Sequence, residues 1–278
     1  MEQVALQLDV RPKQVNWYER TRGFKNQISV HLETDEFLIK TAENGRELIR
    51  ALELRHEIFV EEWQGLKTES GLDVDDFDFQ GDHLLIISKE SSEVVGAYRL
   101  LCSRFTGQFY SAHEFEMDCF LRWPGVKLEL GRACVRADHR TGTAIDLLWR
   151  GLAAYIKVSR ARYLFGCASV RETNPEMVAR LLKYIETQGG WNLEHQIWPT
   201  KEYRMLGLSL AMMEPLLPSE AKKLVPALLR TYLHAGAHVL GYPALDREFQ
   251  CVDLFTVLDV QGINQRFNDR YFPSGKGA

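Results

Sequence analysis

The sequence lacks the features that mark secreted, membrane-spanning and disulfide-stabilised proteins. Its first 20 residues contain no apolar stretch of the kind that directs secretion, and no segment approaches the roughly 20 consecutive apolar residues of a transmembrane helix. The five cysteines, at positions 102, 119, 134, 167 and 251, form no Cys-x-x-Cys pair. An odd, scattered set of cysteines is typical of a reducing compartment, so we expect a cytoplasmic protein.

The sequence also has no surplus of positive charge and no internal repeat. The 278 residues carry a net charge of −4, which disfavours nucleic acid as a partner. The charge is unevenly spread, because residues 45–82 hold 11 acidic and four basic side chains, whereas residues 132–162 hold seven basic and two acidic ones. Two such regions fit two partners of opposite charge, or else they are ordinary solvated surfaces.

Residues 127–160 form the organising stretch of the chain, and they predict a strand, a polar loop and a long helix. In the strand, Glu129 and Arg132 interrupt apolar positions, where a buried charge is costly. Apolar residues then recur at helical spacing over 145–156. Gly142 stands where the loop DHRTGTA enters that helix, and the free N–H groups of a helix start suit a phosphate.

The order of predicted elements indicates a mixed α/β fold. Further strands are expected at 37–41, 82–89, 94–102, 163–170, 203–208 and 252–260, and further helices at 42–60, 174–188 and 219–240, the last kinked or split at Pro226. Together they predict one mixed twisted sheet with helices on both faces. We expect an N-terminal extension (1–35), a core (36–210) and a C-terminal helix and strand that complete the sheet (211–278).

Eight short motifs resemble one family. They are RHEIFVEEW at 55–63, D-x-D-D-x-D at 73–78, DHLL at 82–85, VGAYRLL at 95–101, FYSAHEF at 109–115, ELGRACV at 129–135, LLWRGLAAY at 147–155 and LFGCASV at 164–170. As a set they resemble the GNAT N-acyltransferases, in particular the group that makes lyso-ornithine lipid and its N-acyl amino acid synthase relatives. The acyl-homoserine-lactone synthases are more distantly similar. The resemblance implies a splayed central strand pair, and transfer of a fatty acyl or 3-hydroxyacyl chain from acyl carrier protein to the α-amine of ornithine or another amino acid.

The same resemblance implies a site for the phosphopantetheine arm of the donor, with no permanently bound cofactor. The family's loop has Gln or Arg, two residues, Gly, one residue, then Gly or Ala; here the frame is His139, Gly142, Ala144. A main-chain N–H near Val135 would hold the oxyanion. The implied donor residues are Val135, His139, Arg140, Thr141, Gly142, Thr143 and Ala144. The residues expected to dock the acidic carrier protein are Arg136, His139, Arg140, Lys157, Arg160 and Arg162. Acyl-coenzyme A offers the same arm.

An N-acyl transfer also requires a proton acceptor, because an amine attacks a thioester only as the free base. Glu129 is the candidate, since partial burial in a central strand would raise its pKa toward the working range. The equally weighted alternative is a structural ion pair with Arg132 or Arg99. Those two arginines would fix the substrate carboxylate by bidentate contacts, or else neutralise Glu129 and the acidic loop.

Two further groups are expected to bind substrate. Asp75, Asp78 and Asp82 would receive a cationic side chain such as that of ornithine, although a solvated loop explains any one of them as well. The second group, which matches the family's early motif, is Arg55, Phe59 and Trp63. The two aromatic residues lie four apart on one helix face and belong either to the core or to an acyl pocket.

Cys167 is a candidate general acid for the leaving thiolate. The alternatives are a covalent mechanism with His113 or His139 as base, and an inert core cysteine. No metal site is expected, because His234 and His238 have helical spacing but no acidic neighbour.

Two other functions stay open. One is an autoinducer-type synthase that acts on S-adenosylmethionine, and the other is a non-catalytic module that binds acyl carrier protein or acyl chains. Residues 219–240 combine apolar and basic positions, so they would either contact the inner membrane surface, which a lipid product favours, or pack on the core.

Overall fold

The computed structural model describes residues 17–68, 70–195, 197–211 and 213–272. The strands are β1 (His31–Glu33), β2 (Phe37–Thr41), β3 (Asp82–Ser88), β4 (Val94–Cys102), β5 (Phe115–Glu116), β6 (Val126–Val135), β7 (Ala161–Val170), β8 (Trp191–Asn192), β9 (Trp198–Pro199), β10 (His238–Leu240), β11 (Ala244–Asp246) and β12 (Cys251–Asp259). One mixed sheet has the order β1-β2-β3-β4-β6-β7-β12-β10-β8. Strand β11 also belongs to this sheet: it pairs with the first residues of β12, whereas β10 pairs with residues 256 and 257 of β12. Strands β5 and β9 pair separately.

Helices cover both faces of the sheet. They are α1 (Trp17–Thr21), α2 (Gly45–Arg55), α3 (Asp118–Leu121), α4 (Gly142–Ser159), α5 (Pro175–Thr187), α6 (Pro218–Leu224), α7 (Ala227–Ala235) and α8 (Gln265–Tyr271). Helices α4, α5 and α7 pack on one face, here called the α4 face, and α2 packs on the opposite α2 face. The predicted fold class is therefore confirmed. Among the described residues, no helix has the length and hydrophobicity that crossing a bilayer requires.

Capping residues and prolines fix where the main helices begin and end. Asn44 accepts two first-turn amides at the start of α2, and Asn174 does the same for α5, which carries Pro175 at its first position as predicted. Pro226 separates α6 from α7, because proline has no N–H with which to continue a helix. Of the kink and the split that the sequence allowed, the split is thus present.

The parallel pair β6–β7 separates halfway along its length. Pairing runs from Val126 with Ala161 to Glu129 with Phe165, and beyond that point each strand pairs only with its outer neighbour. Gly166 follows the last paired residue of β7, and a Cβ at this position would overlap a backbone carbonyl of β6. The splayed strand pair that the resemblance implied is present, and it opens the sheet toward the carboxyl ends of both strands.

A β-bulge lies in β6 beside the splay. Two residues of β6, Arg132 and Ala133, oppose the single Tyr98 of β4. Arg132 has a φ of 54°, a left-handed conformation that residues other than glycine rarely adopt. The extra residue turns the Arg132 side chain onto the α2 face, where its guanidinium lies over the Tyr110 ring. Backbone strain of this kind clusters at functional sites.

Four expected elements differ in the structure. The helix expected over 219–240 ends at Ala235, and His238–Leu240 form strand β10 instead. The helix predicted over 42–60 begins at Gly45 and continues beyond Arg55 as a π-helix, His56–Trp63. Residues 203–208, all of which are described, form no strand. Residues 31–33 of the expected N-terminal extension form β1, whereas residues 1–16 lie outside the described part. Since β12 lies between β7 and β10, all three expected parts of the chain contribute strands to one sheet.

Candidate active site

A cavity of about 470 Å³ occupies the splay between β6 and β7. On the α4 face its walls are largely apolar and include Leu130, Ala133, Ala168, Leu224, Leu228, Leu229 and Tyr232. On the α2 face its lining includes Phe59, Trp63, Arg132, Ser169 and Arg171. The cavity therefore passes through the open sheet from an apolar side to a polar side.

Phe59 and Trp63 form one wall of this cavity, and their ring centroids lie 6.3 Å apart. The Arg171 guanidinium lies 4.5 Å from the Trp63 ring and donates to the Trp63 carbonyl at 2.7 Å. Of the two sequence interpretations of these aromatic residues, the pocket-lining one therefore describes their position, although Phe59 also packs in the core.

Arg55 and Arg99 join three aspartates in one ion network on the α2 face. Arg55 donates through Nε to Asp73 at 2.8 Å and through Nη1 to Asp78 at 2.5 Å. Arg99 donates through Nη1 to Asp75 at 2.7 Å and to Asp78 at 3.1 Å. Both arginine side chains are only 1% exposed, so these contacts leave them almost no surface for a ligand.

The network explains the charge states of its carboxyl groups. Burial is the largest single influence and raises the pKa of Asp73 and Asp78, but the nearby charges, that of Arg55 first, together with the Arg55 hydrogen bonds outweigh it and hold both pKa values below their usual range. Asp75 and Asp78 are therefore paired with the protein's own guanidinium groups. The expectation that they receive a substrate cation loses its support, and the alternative, that arginines neutralise the acidic loop, describes Arg99. Arg55, which was expected to bind substrate, is held in the same ion pairs.

Arg132 is bound more loosely. Its side chain is 17% exposed, and the nearest oxygens of Asp73 and Asp75 lie 3.6 and 3.9 Å away, beyond hydrogen-bond distance. Its buried Nε has no hydrogen-bond partner in the described structure. Because Arg132 also lines the cavity, its guanidinium keeps donors for an anionic group there.

Asp82 lies apart from this network, and its predicted role in binding substrate is corrected. Its carboxylate accepts the amides of Gln27 at 2.7 Å and Ile28 at 3.1 Å, and the Tyr155 hydroxyl at 2.8 Å. The side chain is fully buried. These bonds tie the N-terminal segment and α4 to the start of β3, so Asp82 has a structural position.

Glu129 is buried at the last paired position of β6 and β7. Its carboxylate accepts the backbone amides of Tyr110 at 2.8 Å and Ser111 at 2.6 Å. Among the described ion pairs of Arg99 and Arg132, none involves Glu129. Burial raises the pKa of Glu129, and the Ser111 hydrogen bonds and the Arg99 charge lower it by less. A buried carboxyl with a raised pKa suits a proton acceptor.

Cys167 faces carboxyl groups. Its thiol lies within 4.8 Å of carboxylate oxygens of Glu114 and Asp253, and it donates to the Ser111 hydroxyl at 3.4 Å. Burial and the two carboxyl groups raise the pKa of Cys167 well above its ordinary value. The thiol therefore stays protonated at neutral pH, which suits a proton donor and disfavours the covalent alternative.

Glu114 and Asp253 are candidate site residues that the sequence analysis missed. They are 1% and 2% exposed, and Asp253 accepts the hydroxyl of the cavity-lining Ser169 at 2.6 Å. Burial raises the pKa of both carboxyl groups, and the proximity of Asp253 raises that of Glu114 further. Asp253 is a carboxylate within an apolar strand, which is the signal that singled out Glu129, whereas Glu114 lies in the mixed stretch SAHEFEMD and carries no such signal. Among the described residues, two sets of three converging metal-ligand atoms share Asp253: Glu114–Cys167–Asp253 and Asp246–Cys251–Asp253.

The predicted donor loop leads directly into α4. Gly142 is the first residue of α4, and Thr141 before it does not cap the helix with its side chain, so first-turn N–H groups remain available to an anion. A second cavity, of about 170 Å³, is lined in part by Val135, His139, Thr141, Thr143 and Ala144. The structure thus brings most of the predicted donor residues together. Arg140 instead pairs with Glu62 at 2.5 Å.

The basic residues that were expected to dock a carrier protein do not form one surface, because they lie at opposite ends of α4. This helix has 18 residues and is therefore about 27 Å long. Arg160 and Arg162 follow its C-terminal end, whereas Gly142 begins it, and Arg162 already pairs with Asp259 at 3.0 Å. Carrier docking by Arg160 and Arg162 requires them to lie near the donor loop, and the structure places them at the opposite end of α4.

Comparison with known proteins identifies the family. Residues 54–150 match the model of a family described as an acetyltransferase (GNAT) domain. The chain is 32% identical over 250 residues to the L-ornithine N(alpha)-acyltransferase of Rhodobacter capsulatus, with 84% of this chain and 93% of the relative covered. The enzyme of the same name from Agrobacterium fabrum is also 32% identical over 250 residues, with 84% of each chain covered.

Solved structures give more distant matches. The AHL synthase LasI aligns with 90% of this chain and 99% of its own length at 12% identity and a TM-score of 0.49. The CoA-dependent acyl-homoserine lactone synthase BjaI aligns with 82% of this chain and 83% of its own at 19% identity and a TM-score of 0.40. Likenesses this distant say nothing further about the chemistry of this chain. The curated relatives decide the family: this protein is an acyltransferase, and it belongs to the GNAT-domain family of the L-ornithine N(alpha)-acyltransferases.

Proposed function

We propose that this protein transfers a fatty acyl or 3-hydroxyacyl chain from a thioester donor to the α-amine of ornithine, giving a lyso-ornithine lipid. The observation that carries the proposal is the cavity through the splay, which is largely apolar on the α4 face and holds the loosely bound Arg132 on the α2 face. An acyl chain and an amino-acid carboxylate are the groups that these two sides suit. The names of the relatives supply ornithine as the amino acid.

The placement of three side chains supports direct attack of the amine on the thioester. Arg132 binds the α-carboxylate, and Glu129 accepts the proton of the α-ammonium, since each of its oxygens keeps a lone pair beyond the amide that it accepts. The amine nitrogen bonds to the thioester carbon, a main-chain N–H near Val135 holds the oxyanion, and the C–S bond then breaks. Cys167 donates a proton to the departing thiolate, and the second proton lost by the attacking nitrogen returns to Cys167, which restores the thiol and leaves a neutral amide.

For the donor we favour acyl carrier protein, with acyl-coenzyme A as the alternative. Both carry a phosphate beside the pantetheine arm, and the first turn of α4 at Thr141, Gly142 and Thr143 offers N–H groups to it. Because Arg160 and Arg162 lie at the far end of α4, carrier docking falls to the basic residues around the donor loop, Arg136, His139 and Arg140, each of which also has an acidic neighbour in this chain.

Peripheral membrane contact is also part of the proposal. Leu206 is 82% exposed and Leu217 is 62% exposed, and both lie in the segment that leads into α6, whose Leu224 lines the cavity. A lipid product that leaves on this side would meet a bilayer directly. Replacing both leucines with serine should reduce co-sedimentation with anionic lipid vesicles and leave Tm unchanged. Unchanged co-sedimentation would exclude this segment.

The activity is tested with purified protein, either donor, and a panel of acceptors that includes ornithine, other amino acids and S-adenosylmethionine. The proposal predicts that ornithine gives the highest kcat/KM with acyl carrier protein thioesters. Formation of a homoserine lactone from S-adenosylmethionine would support the autoinducer alternative instead. Donor binding without any turnover would support a non-catalytic module.

A further inference from the structure

Two buried carboxyl groups without a cationic partner lie beside the cavity on the α2 face. Within the described part of the chain, no lysine, arginine or histidine forms an ion pair with Glu114 or Asp253. Oε2 of Glu114, in a side chain only 1% exposed, has no hydrogen-bond partner there. Buried carboxylates are normally paired or bonded, because an isolated charge is costly away from water.

The other buried carboxylates near the site are satisfied. Asp78 has two arginines, Asp82 has three hydrogen-bond donors, and Glu129 has two backbone amides. The chain therefore supplies partners for carboxylates that serve the fold. Glu114 and Asp253 face each other and Cys167 within 4.8 Å, and what this arrangement lacks is a positive group.

The pair also lies next to the substrate cavity. Ser169, which lines the cavity, is the β-sheet neighbour of Asp253 and donates to it at 2.6 Å. On the other side, the Arg132 guanidinium lies 5.1 Å from the centre of the Tyr110 ring. Tyr110 begins the 3-10 turn Tyr110–His113, and Glu114 directly follows its end. A cationic anchor and an acidic pair thus flank the same short turn.

We propose that Glu114 and Asp253 form the subsite for the side-chain ammonium group of the acceptor amino acid. The inference rests on the proposed function, and it names the residues that select the acceptor. Arg132 holds the α-carboxylate at one end of the amino acid, and the acidic pair holds the ammonium at the other, which leaves the α-amine at the splay. A neutral side chain would leave the acidic pair without a cationic partner and Oε2 of Glu114 without a hydrogen bond, and sites built this way reject such analogues strongly.

A metal ion is the other cation that carboxylates and a thiol can bind. The set Glu114–Cys167–Asp253 offers three ligand atoms, but the thiol must lose its proton to bind a metal, and burial together with the two carboxyl groups raises the pKa of Cys167. An ammonium group needs no deprotonated thiol. We therefore favour the ammonium group, and the metal becomes an outcome of the test.

The test compares ornithine with norleucine, which has a methyl group in place of the ammonium. Wild-type protein should strongly prefer ornithine. Asp253→Asn and Glu114→Gln should each lower kcat/KM for ornithine by about a hundredfold and leave the value for norleucine nearly unchanged. Tm should not fall, because each amide replaces a costly buried carboxyl group. The matched control is Asp259→Asn on the same strand, whose 35% exposed carboxylate pairs with Arg162. It should keep the preference for ornithine.

Equal losses for both acceptors in the two variants, or an intact preference for ornithine, would overturn the inference. Calorimetric titration of wild-type protein with ornithine and with norleucine, in the absence of donor, adds an arm that needs neither variants nor turnover. Protein that binds ornithine tightly but transfers no acyl chain would refute the proposed function and leave this subsite standing. Protein that acylates ornithine and norleucine equally well would refute the ammonium subsite and leave the proposed function standing. Stoichiometric zinc in the purified protein, with loss of ornithine binding after chelation, would replace the ammonium subsite with a metal site.

Discussion

Replacing Asp78 with asparagine should destabilise the protein rather than weaken substrate binding. Asp78 is fully buried, and one of its oxygens lies 2.5 Å from Nη1 of Arg55 and 3.1 Å from Nη1 of Arg99. The other oxygen accepts the Asp75 amide at 2.8 Å. Asparagine keeps the shape of the side chain but removes its charge. The two buried guanidinium groups would then share fewer anionic partners.

The expected magnitude follows from the burial of this network. Removing one partner of a buried ion pair costs about 3–5 kcal/mol. Since 1 kcal/mol lowers the Tm of a domain of this size class by about 2–4 °C, we expect a fall on the order of 10 °C. Asp76→Asn is the matched control, because its carboxylate is 72% exposed and pairs with the exposed Arg20. It should change the free energy of unfolding by less than about 0.5 kcal/mol.

The pH dependence provides a second check. Although burial opposes ionisation, Arg55 and Arg99 hold the pKa of Asp78 below its usual range. Its contribution to stability is therefore present above the unfolded pKa of about 3.9 and is lost as the pH falls through the lower folded value. Thermal unfolding followed by circular dichroism should show a constant difference between wild type and variant near neutral pH, and a smaller one in strong acid. An unchanged Tm together with a raised KM for ornithine would restore Asp78 as a substrate-binding residue.

Three further variants test the proposed chemistry. Glu129→Gln should lower kcat strongly and Tm slightly, because glutamine accepts no proton and its NH₂ group would face a backbone N–H. Near-normal turnover would move the proton acceptor elsewhere. Gly142→Val should raise the donor KM without lowering Tm, since its side chain would extend into open space at the first turn of α4. An unchanged KM would exclude this loop. Cys167→Ser should keep substantial activity, because a hydroxyl can also donate a proton. An acyl thioester on Cys167, found by mass spectrometry in quenched reactions, would overturn direct attack.

Local sequence patterns identified the residues that break the pattern of the strand or helix in which they lie. Glu129 and Arg132 stood out because each places a charge within an apolar strand, and Gly142 because it begins a helix. Both positions of the strand proved to lie at the splay. The bulge that turns Arg132 toward the α2 face depends on the register with β4, which the residues of β6 alone do not specify.

Partners that are distant in the chain could not be predicted in the same way. Asp75 and Asp78 appeared available for a substrate, because their partner Arg99 belongs to a different strand and meets them only when the acidic loop folds back. Asp253 carries the same signal as Glu129, a carboxylate within an apolar strand, but Glu114 lies in a mixed stretch and does not. Nothing local brings Glu114 and Asp253 together until β12 is placed beside β7. The charge count over residues 132–162 likewise could not show where the basic residues lie in space, and Arg160 and Gly142 lie at opposite ends of α4.

The central claim, N-acylation of ornithine at its α-nitrogen, is tested most directly by the structure of the product. Purified protein would be supplied with an acyl carrier protein thioester and ornithine labelled with heavy nitrogen at the α position. We predict that tandem mass spectrometry will find the amide on the labelled nitrogen. An amide on the unlabelled side-chain nitrogen, or no amide product from ornithine with either thioester donor, would contradict it.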